Sequence, residues 1–157
     1  MCGKIKLMKK GMTLMEIVIV IALLAILLAV AVIGLNPVGE LARARNSQRN
    51  YHINAIVTAV RQNIADSTLG TFTCASGEVP TSTKRMAVGS STYYNIAPCL
   101  VSTYLNNLPF DPAATGAHWT SASDYNTGYN ILRNASTGEI TVSAPFAELG
   151  KTVSVTQ

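Results

Sequence analysis

The chain contains 157 residues, with 12 basic and 8 acidic side chains and a formal net charge of +4. Four of the lysines lie within residues 1–11, so residues 12–157 carry eight basic and eight acidic side chains and are formally neutral. A neutral remainder without a basic stripe counts against nucleic acid as the main partner. Its length leaves room for one membrane helix and one small globular domain.

A short basic segment precedes a long apolar run near the amino terminus. Residues 4–10 contain the four lysines, Gly11 follows, and Glu16 is the last charged residue before the uncharged run Ile17 to Leu35. In a secretory signal peptide the small residues of the cleavage site follow the apolar run, which is then discarded. Here the small residue comes first, so a cut after Gly11 would keep the apolar run on the mature chain.

The order Gly11-Met12-Thr13-Leu14-Met15-Glu16 closely resembles the leader of type IV prepilins, the precursors of type IV pilins and the related pseudopilins. Met12 stands where that family usually has phenylalanine. The resemblance implies cleavage between Gly11 and Met12 by a prepilin peptidase, followed by methylation of the new amino group of Met12. It also implies filament assembly in which Glu16 pairs with that amino group. The resemblance is specific over residues 4 to about 49.

Two other interpretations of this region are open. Thr13 and Glu16 have the spacing of a helix capping box, which would explain the carboxylate without a role in assembly. Leu28-Ala29-Val30-Ala31 offers a conventional cleavage site, and its use would release a soluble protein. The apolar run is longer than the usual signal-peptide core of about 7–15 residues, which favours the prepilin interpretation.

The apolar run is long enough to cross a membrane, because a helix rises about 1.5 Å per residue and the hydrocarbon core is roughly 30 Å thick. The lysines predict that its amino end stays in the cytoplasm. Gly34 and Pro37 predict a helix break beyond the run, because proline removes a backbone donor and clashes with the preceding turn. The break is either the ordinary junction between a membrane helix and a soluble helix, or a functional hinge.

Beyond the break the sequence predicts an amphipathic helix that ends near Asp66. Apolar residues recur there at three- and four-residue spacing: Ile53, Ile56, Val60 and Ile64. Residues 67–157 are rich in Ser, Thr, Asn and Gly, and short apolar clusters predict strands at 129–132, 139–144 and 151–155. The first two of these strands flank a turn and predict a β-hairpin.

The predicted fold class is α+β. A long amino-terminal helix, membrane-spanning in its first half, is expected to pack on a small carboxy-terminal antiparallel β-sheet domain, which is the ladle shape of the pilin family. The predicted division is a cleaved leader at 1–11, a transmembrane and assembly helix at 12–35, its amphipathic second half at 36–66, and a globular β-rich domain at 67–157.

Leader cleavage would leave Cys74 and Cys99 as the remaining cysteines, because Cys2 lies in the leader. An even pair in a domain placed outside the cytoplasm predicts a disulfide. In the chain-entropy description such a bridge stabilises the domain by roughly 3–4 kcal/mol. The bridge would staple the loop that follows the long helix.

The sequence supports no catalytic site, metal site or cofactor. His52 is predicted on a helix face and His118 in a polar loop, and neither has a nucleophile or carboxylate at a recognised motif spacing. Three carboxylates form no EF-hand-like series and are interpreted as solvated turn residues: Asp111, Asp124 and Glu139. Asn134-Ala135-Ser136 matches a glycosylation sequon, but it falls in the predicted hairpin turn and is assigned no function.

These observations predict a non-enzymatic structural subunit of a type IV pilus or of a type II secretion-like pseudopilus. The expected partners are further copies in a homo-oligomeric filament, other pilin-like subunits, a prepilin peptidase, and the pilus or secretion assembly machinery. The subunit would reside in the inner membrane with its carboxy-terminal domain outside the cytoplasm, and then in an extracellular pilus or a periplasmic pseudopilus. The alternative is a signal-anchored surface binding module, such as an adhesin or DNA-uptake receptor, that never polymerises.

Overall fold

The computed structural model describes residues 11–34 and 36–157, so the leader lysines, Cys2 and Leu35 lie outside the described residues. The chain divides into two compact units, Met1–Glu40 and Leu41–Gln157. Along the described residues the elements follow in the order α1 (Leu14–Gly34), α2 (Pro37–Asp66), β1 (Lys84–Ala87), β2 (Tyr93–Tyr94), α3 (Ala97–Leu100), β3 (His118–Ser121), β4 (Asp124–Arg133), β5 (Ile140–Ala144) and β6 (Val153–Thr156). The α+β fold class is confirmed.

The start of α2 is built from Asn36 and Pro37. Asn36 adopts a left-handed backbone conformation with φ of 41°, which asparagine tolerates better than most residues. Its side-chain oxygen accepts a hydrogen bond from the N–H of Gly39 at 3.4 Å, and its carbonyl accepts one from the N–H of Glu40 at 3.2 Å. Pro37 is then the first helical residue, where a missing N–H costs nothing. α1 therefore ends at Gly34, and a separately capped helix begins at Pro37.

The sheet is mixed rather than purely antiparallel. Its strand order is β2-β1-β4-β5-β6, and β3 pairs with β4 beside that path. The β4–β5 hairpin that the sequence predicts is present, with Asn130 opposite Ser143 and Arg133 opposite Ile140. The correction comes from β2, a two-residue strand that lies parallel to β1. Neither β1 nor β2 has the clear apolar alternation that predicts the β4–β5 hairpin.

The core of the second unit lies between α2 and the sheet. Ile53, Ile56 and Val60, the predicted stripe of the helix, are each 0% exposed, whereas Ile64 is only partly buried. Tyr129 on β4 and Val142 on β5 belong to the same apolar cluster. The side chains that recur about every 3.6 positions along the helix and at every second position along β5 are thus buried in one common core. The prediction that this helix packs on the sheet is confirmed.

Candidate functional site

The amino end of α1 is capped by a threonine. The N–H of Glu16 lies 3.2 Å from the hydroxyl oxygen and 3.1 Å from the carbonyl oxygen of Thr13. A side-chain cap of this kind stabilises a helix by about 0.5–2 kcal/mol. Gly11 and Met12 precede the helix and are exposed, and nothing beyond the adjoining residues lies within 4 Å of the position that a Cβ would take on Gly11. The predicted cleavage bond is therefore uncovered.

The helix α1 is apolar on every face and has no covering partner within the described residues. Its segment Leu14–Val32 is 19 residues long, is apolar and long enough to cross a membrane, and is 0% buried. The large apolar side chains from Leu14 to Val32 are between 48% and 81% exposed. Apolar surface gains roughly 25 cal/mol per Å² when it leaves water. A helix of this composition therefore requires lipid or other protein around it.

A buried ion pair joins α2 to the segment that precedes β3. The side chains of Arg49 and Asp111 are both 0% exposed, and two hydrogen bonds join them, from Nε to Oδ2 at 2.8 Å and from Nη2 to Oδ1 at 3.0 Å. Asp111 Oδ1 also accepts the N–H groups of Ala113 and Ala114, each at 2.9 Å. The expectation that Asp111 is a solvated turn carboxylate is wrong, because the helix presents a guanidinium to it inside the domain.

The connection between β5 and β6 is fastened to the same part of α2. Glu148 accepts hydrogen bonds from Arg45 at 2.6 Å and 2.8 Å and from Arg49 at 2.8 Å. The side-chain amide of Asn46 pairs with the backbone of Glu148, accepting its N–H at 2.9 Å and donating to its carbonyl at 2.8 Å. Asn46 also accepts a hydrogen bond from Arg49 at 2.9 Å. We call these five residues the charged cluster: Arg45, Asn46, Arg49, Asp111 and Glu148.

The charged cluster holds both carboxylates in their ionised form. Hydrogen bonds from Arg45 and then Arg49 lower the pKa of Glu148 from 4.5 to about 2. Burial raises the pKa of Asp111, but Arg49 and the backbone N–H groups outweigh it, so the net shift is downward. The hydrogen bond from Asp111 raises the pKa of Arg49 further above its usual range. Among the described residues no buried side-chain nitrogen or oxygen lacks a hydrogen-bond partner, which is the condition for tolerating buried charge.

The sequence interpretation missed the charged cluster, although one signal was available. Arg49 falls on the same helix face as Ile53, Ile56 and Val60, where an apolar residue is expected. An arginine in a core stripe implies a buried carboxylate elsewhere. Nothing in the spacing identifies that carboxylate as Asp111, which lies 62 positions further along the chain.

The predicted disulfide is present, between Cys74 and Cys99 with their Cα atoms 5.0 Å apart. It joins the loop after α2 to the short helix α3. Buried Asn63 on α2 supports this junction, since its side chain donates to the carbonyls of Thr73 at 3.0 Å and Cys99 at 3.3 Å and accepts the N–H of Thr73 at 2.8 Å. The bridge therefore closes the end of the domain at which α2 terminates.

The two histidines do not form a catalytic arrangement. His52 Nδ1 lies 2.9 Å from the hydroxyl oxygen of Tyr129, and burial lowers the pKa of His52. His118 does not lie in a loop as expected but begins β3, where its exposed ring lies 3.2 Å from Asp124. Glu139 is exposed and accepts a hydrogen bond from Thr137 at 2.7 Å. Across residues 11–34 and 36–157 no three histidine, cysteine or acidic side chains group as a metal site.

Comparison with protein families connects the amino-terminal segment to a described motif. Residues 6–32 match the family model of the prokaryotic N-terminal methylation motif. The match includes Gly11, Glu16 and most of α1, so the chain carries a type IV pilin-like class III leader. Families with this motif are structural rather than enzymatic, and the motif together with the apolar helix indicates a membrane-anchored precursor. No curated protein and no solved structure gives a significant match.

Proposed function

We propose that this chain is a structural subunit of a type IV pilus or a pseudopilus. The observation that carries the proposal is α1, an uncovered apolar helix that follows the glycine of a methylation-motif leader and contains a single carboxylate. Such a helix is stable in lipid, where it would anchor the subunit by a single membrane crossing before assembly. In a filament, the apolar helices of neighbouring subunits would replace the lipid. The same apolar surface of α1 would then contact lipid before assembly and other subunits after it.

Processing begins at the bond between Gly11 and Met12 in this proposal. Cleavage by a prepilin peptidase removes the four lysines, which are the charges expected to hold the amino end on the cytoplasmic side. The new amino group of Met12 is positively charged, and methylation keeps that charge. The cut therefore converts a membrane anchor into a helix with one cation and one carboxylate at its start.

Glu16 is the proposed partner of the Met12 amino group, on the same subunit or on a neighbouring one. A carboxylate within a membrane or an apolar filament core costs a few kcal/mol unless it is paired. Pairing it with a cation of a neighbouring copy would set the register between the two helices. The cap on Glu16 comes from its own backbone N–H and Thr13, so it leaves the side-chain carboxylate available for this contact.

The unit Leu41–Gln157 is proposed to lie outside the cytoplasm, in the periplasm or on the filament surface. Its Cys74–Cys99 disulfide agrees with an oxidising compartment. The closed core of this unit offers no apolar helix comparable to α1 as a membrane anchor within the described residues. Polymerisation through α1 would therefore display the domain without altering its core.

Substitution of Glu16 tests the proposal against simple helix capping. Glu16→Ala should abolish or strongly reduce surface filaments, while processed subunit still accumulates in the membrane fraction. Breaking a buried pair by removing one partner costs roughly 3–5 kcal/mol, because the other charge is stranded. The matched control is Thr13→Ala, which removes the cap and keeps the carboxylate, at an expected cost of about 0.5–2 kcal/mol in helix stability. Normal filament yield from Glu16→Ala would reduce Glu16 to a first-turn carboxylate without a role in assembly, whereas absence of this chain from the filaments of the wild-type strain would favour a non-polymerising binding module.

The amino terminus of the mature chain tests the processing step separately. Intact-mass analysis and amino-terminal sequencing of extracellular material should find a chain that begins at Met12. Gly11→Glu should leave uncleaved precursor in the membrane, because a bulky charged side chain would not fit a site that selects glycine. A mature chain beginning at Val32 would mean that the Ala31 site is used and that α1 is discarded.

A further inference from the structure

The turn between β5 and β6, residues 145–152, displays apolar side chains instead of burying them. Phe146 is 41% exposed and Leu149 is 53% exposed. Leu149 also has a left-handed backbone conformation, with φ of 58°, which residues other than glycine rarely adopt. A glycine or an asparagine would fit this backbone with less strain. The packing of the domain itself therefore does not explain a leucine at this position.

The charged cluster fixes this turn to the domain. Glu148 accepts hydrogen bonds from Arg45 at 2.6 Å and 2.8 Å and from Arg49 at 2.8 Å. Ala147, which precedes Glu148, packs against the apolar core. Because the neighbouring residues are held in this way, Leu149 is a fixed feature of the surface rather than the tip of a loosely attached loop.

Leu149 forms part of the wall of a groove between this turn and α2. The groove has a volume of about 630 Å³, and two cationic side chains line it, Arg43 and Lys151. Three neutral polar side chains also line it: Ser47, Asn50 and Thr152. We call the surface formed by these six residues the basic groove. Its ammonium, guanidinium, hydroxyl and amide groups are the donors that bind phosphate oxygens in proteins.

The carboxylates next to the basic groove already have cationic partners of their own. Glu148 is paired with Arg45 and Arg49, and Asp111 is paired with Arg49. Lys151 follows Glu148 by three positions and is exposed. This end of the domain therefore presents positive charge beside exposed apolar side chains, a combination typical of proteins that lie against an anionic membrane surface.

The length of the connecting chain limits how far the basic groove can lie from the membrane. Arg43 follows Gly34, the last residue of α1, by nine positions. Even a fully extended chain of that length spans only about 30 Å. While α1 crosses a bilayer, this tether keeps Arg43 within reach of the lipid headgroups on the same side. A tethered contact forms at a high effective concentration, so a weak one is sufficient.

We propose that the basic groove binds the anionic headgroups of the membrane in which α1 is anchored. The headgroup phosphate accepts hydrogen bonds from Lys151 and Arg43, while Leu149 enters the boundary between headgroups and acyl chains. A free phosphate or an acidic peptide would engage the cations and leave the leucine in water, whereas a lipid surface engages both. The contact orients the domain on the membrane before assembly.

This inference rests on α1 as a membrane anchor, which it shares with the proposed function, and it does not require polymerisation.

Site-specific fluorescence in vesicles tests the inference with the full chain. In protein with Cys2→Ser, the variant Leu149→Cys is labelled with the dye NBD and reconstituted into vesicles whose acyl chains carry a nitroxide quencher. Without reductant, Cys74 and Cys99 stay bonded and unlabelled. The matched position is Leu69→Cys, an exposed leucine beyond the other end of α2. In vesicles that contain phosphatidylglycerol, quenching at position 149 should exceed that at position 69 roughly twofold or more.

The charge dependence of the quenching identifies the headgroup contact. Lys151→Glu should reduce the quenching at position 149 to the level at position 69. Neutral phosphatidylcholine vesicles and high salt should do the same, because the attraction is then absent or screened. The matched control is Lys84→Glu, the same charge reversal on β1, which should leave the quenching unchanged. An intact disulfide and unaltered thermal unfolding of each variant separate a lost contact from misfolding.

The outcomes separate this inference from the proposed function. Equal quenching at positions 149 and 69 would overturn it, and so would quenching at position 149 that persists in neutral vesicles or after Lys151→Glu. A blue shift at position 149 that grows with the density of protein in the membrane, without quenching by lipid, would assign the basic groove to a second copy of this chain and also overturn it. None of these measurements requires filaments, so the filament proposal is tested independently by Glu16→Ala.

Discussion

The helix α1 and the unit Leu41–Gln157 differ in the exposure of their apolar side chains. In α1 the apolar side chains between Leu14 and Val32 remain exposed on every face. In the second unit the apolar side chains of α2 and the sheet close into one core, and each buried polar side chain among the described residues has a partner. The domain therefore carries its stability within itself, whereas α1 depends on what surrounds it.

The two regions also use charge differently. In the domain, Arg49 is buried and fully paired within one subunit. In α1, Glu16 is exposed and its pairing is proposed to come with assembly. Substitutions in the two regions should therefore separate two properties, namely the unfolding of the subunit and the formation of filaments.

The largest effect on folding should come from breaking the buried pair. Arg49→Met, which keeps the length of the side chain, should cost roughly 3–5 kcal/mol, because Asp111 is left buried without its cation. Thermal or denaturant unfolding of the full chain in detergent measures this loss. The double variant Arg49→Met with Asp111→Leu should recover part of it, because both charges are then absent. As a control in the other region, Leu24→Ala should leave domain unfolding unchanged, and a comparable loss there would contradict the separation of the two regions.

A slightly smaller effect is expected from removing the disulfide. Cys99→Ser should destabilise the domain by roughly 3–4 kcal/mol, because the unfolded chain loses a cross-link. Thermal unfolding of the oxidised wild type, the reduced wild type and the variant measures it, and the last two should agree closely. Leader cleavage, which takes place at Gly11, should be unaffected. Labelling of both cysteines in unreduced protein would show that the bridge does not form in the cell.

The smallest effect should appear as a change in the pH dependence of stability in acid, and it should report the charged cluster. The folded-state pKa of Glu148 is lowered from 4.5 to about 2, so the folded chain binds fewer protons than the unfolded chain between these values. The stability that Glu148 contributes is therefore complete above pH 4.5 and is lost as the pH falls toward 2. Glu148→Gln should flatten the pH dependence of the unfolding free energy in this window. Parallel curves for the variant and the wild type would show that Glu148 does not stabilise the fold by its charge.

Much of the fold was predictable because it follows from the spacing of apolar residues within single helices and strands. The apolar run, the stripe through Ile53 and Val60, and the alternation along β5 each follow from the period of one element. The short strands β1, β2 and β3 were not predicted, because each is too short to show a clear apolar alternation. β1 pairs with the distant strand β4, whereas β2 and β3 pair with strands that lie close to them in the chain. The same lack of a local pattern predicts a loop at His118, although its pairing with β4 makes it part of a strand.

The sequence alone established the order of the leader, the apolar helix α1 and the position of Glu16, because these features depend only on adjacent residues and on their charge. It also indicated the pairing of Cys74 and Cys99, since cleavage would leave two cysteines. The partners of Arg49 became identifiable only in the folded domain, because Asp111 and Glu148 lie 62 and 99 positions away along the chain. Contacts between residues that are far apart in the chain are not predictable from local sequence patterns, and their contribution to stability depends on how deeply they are buried.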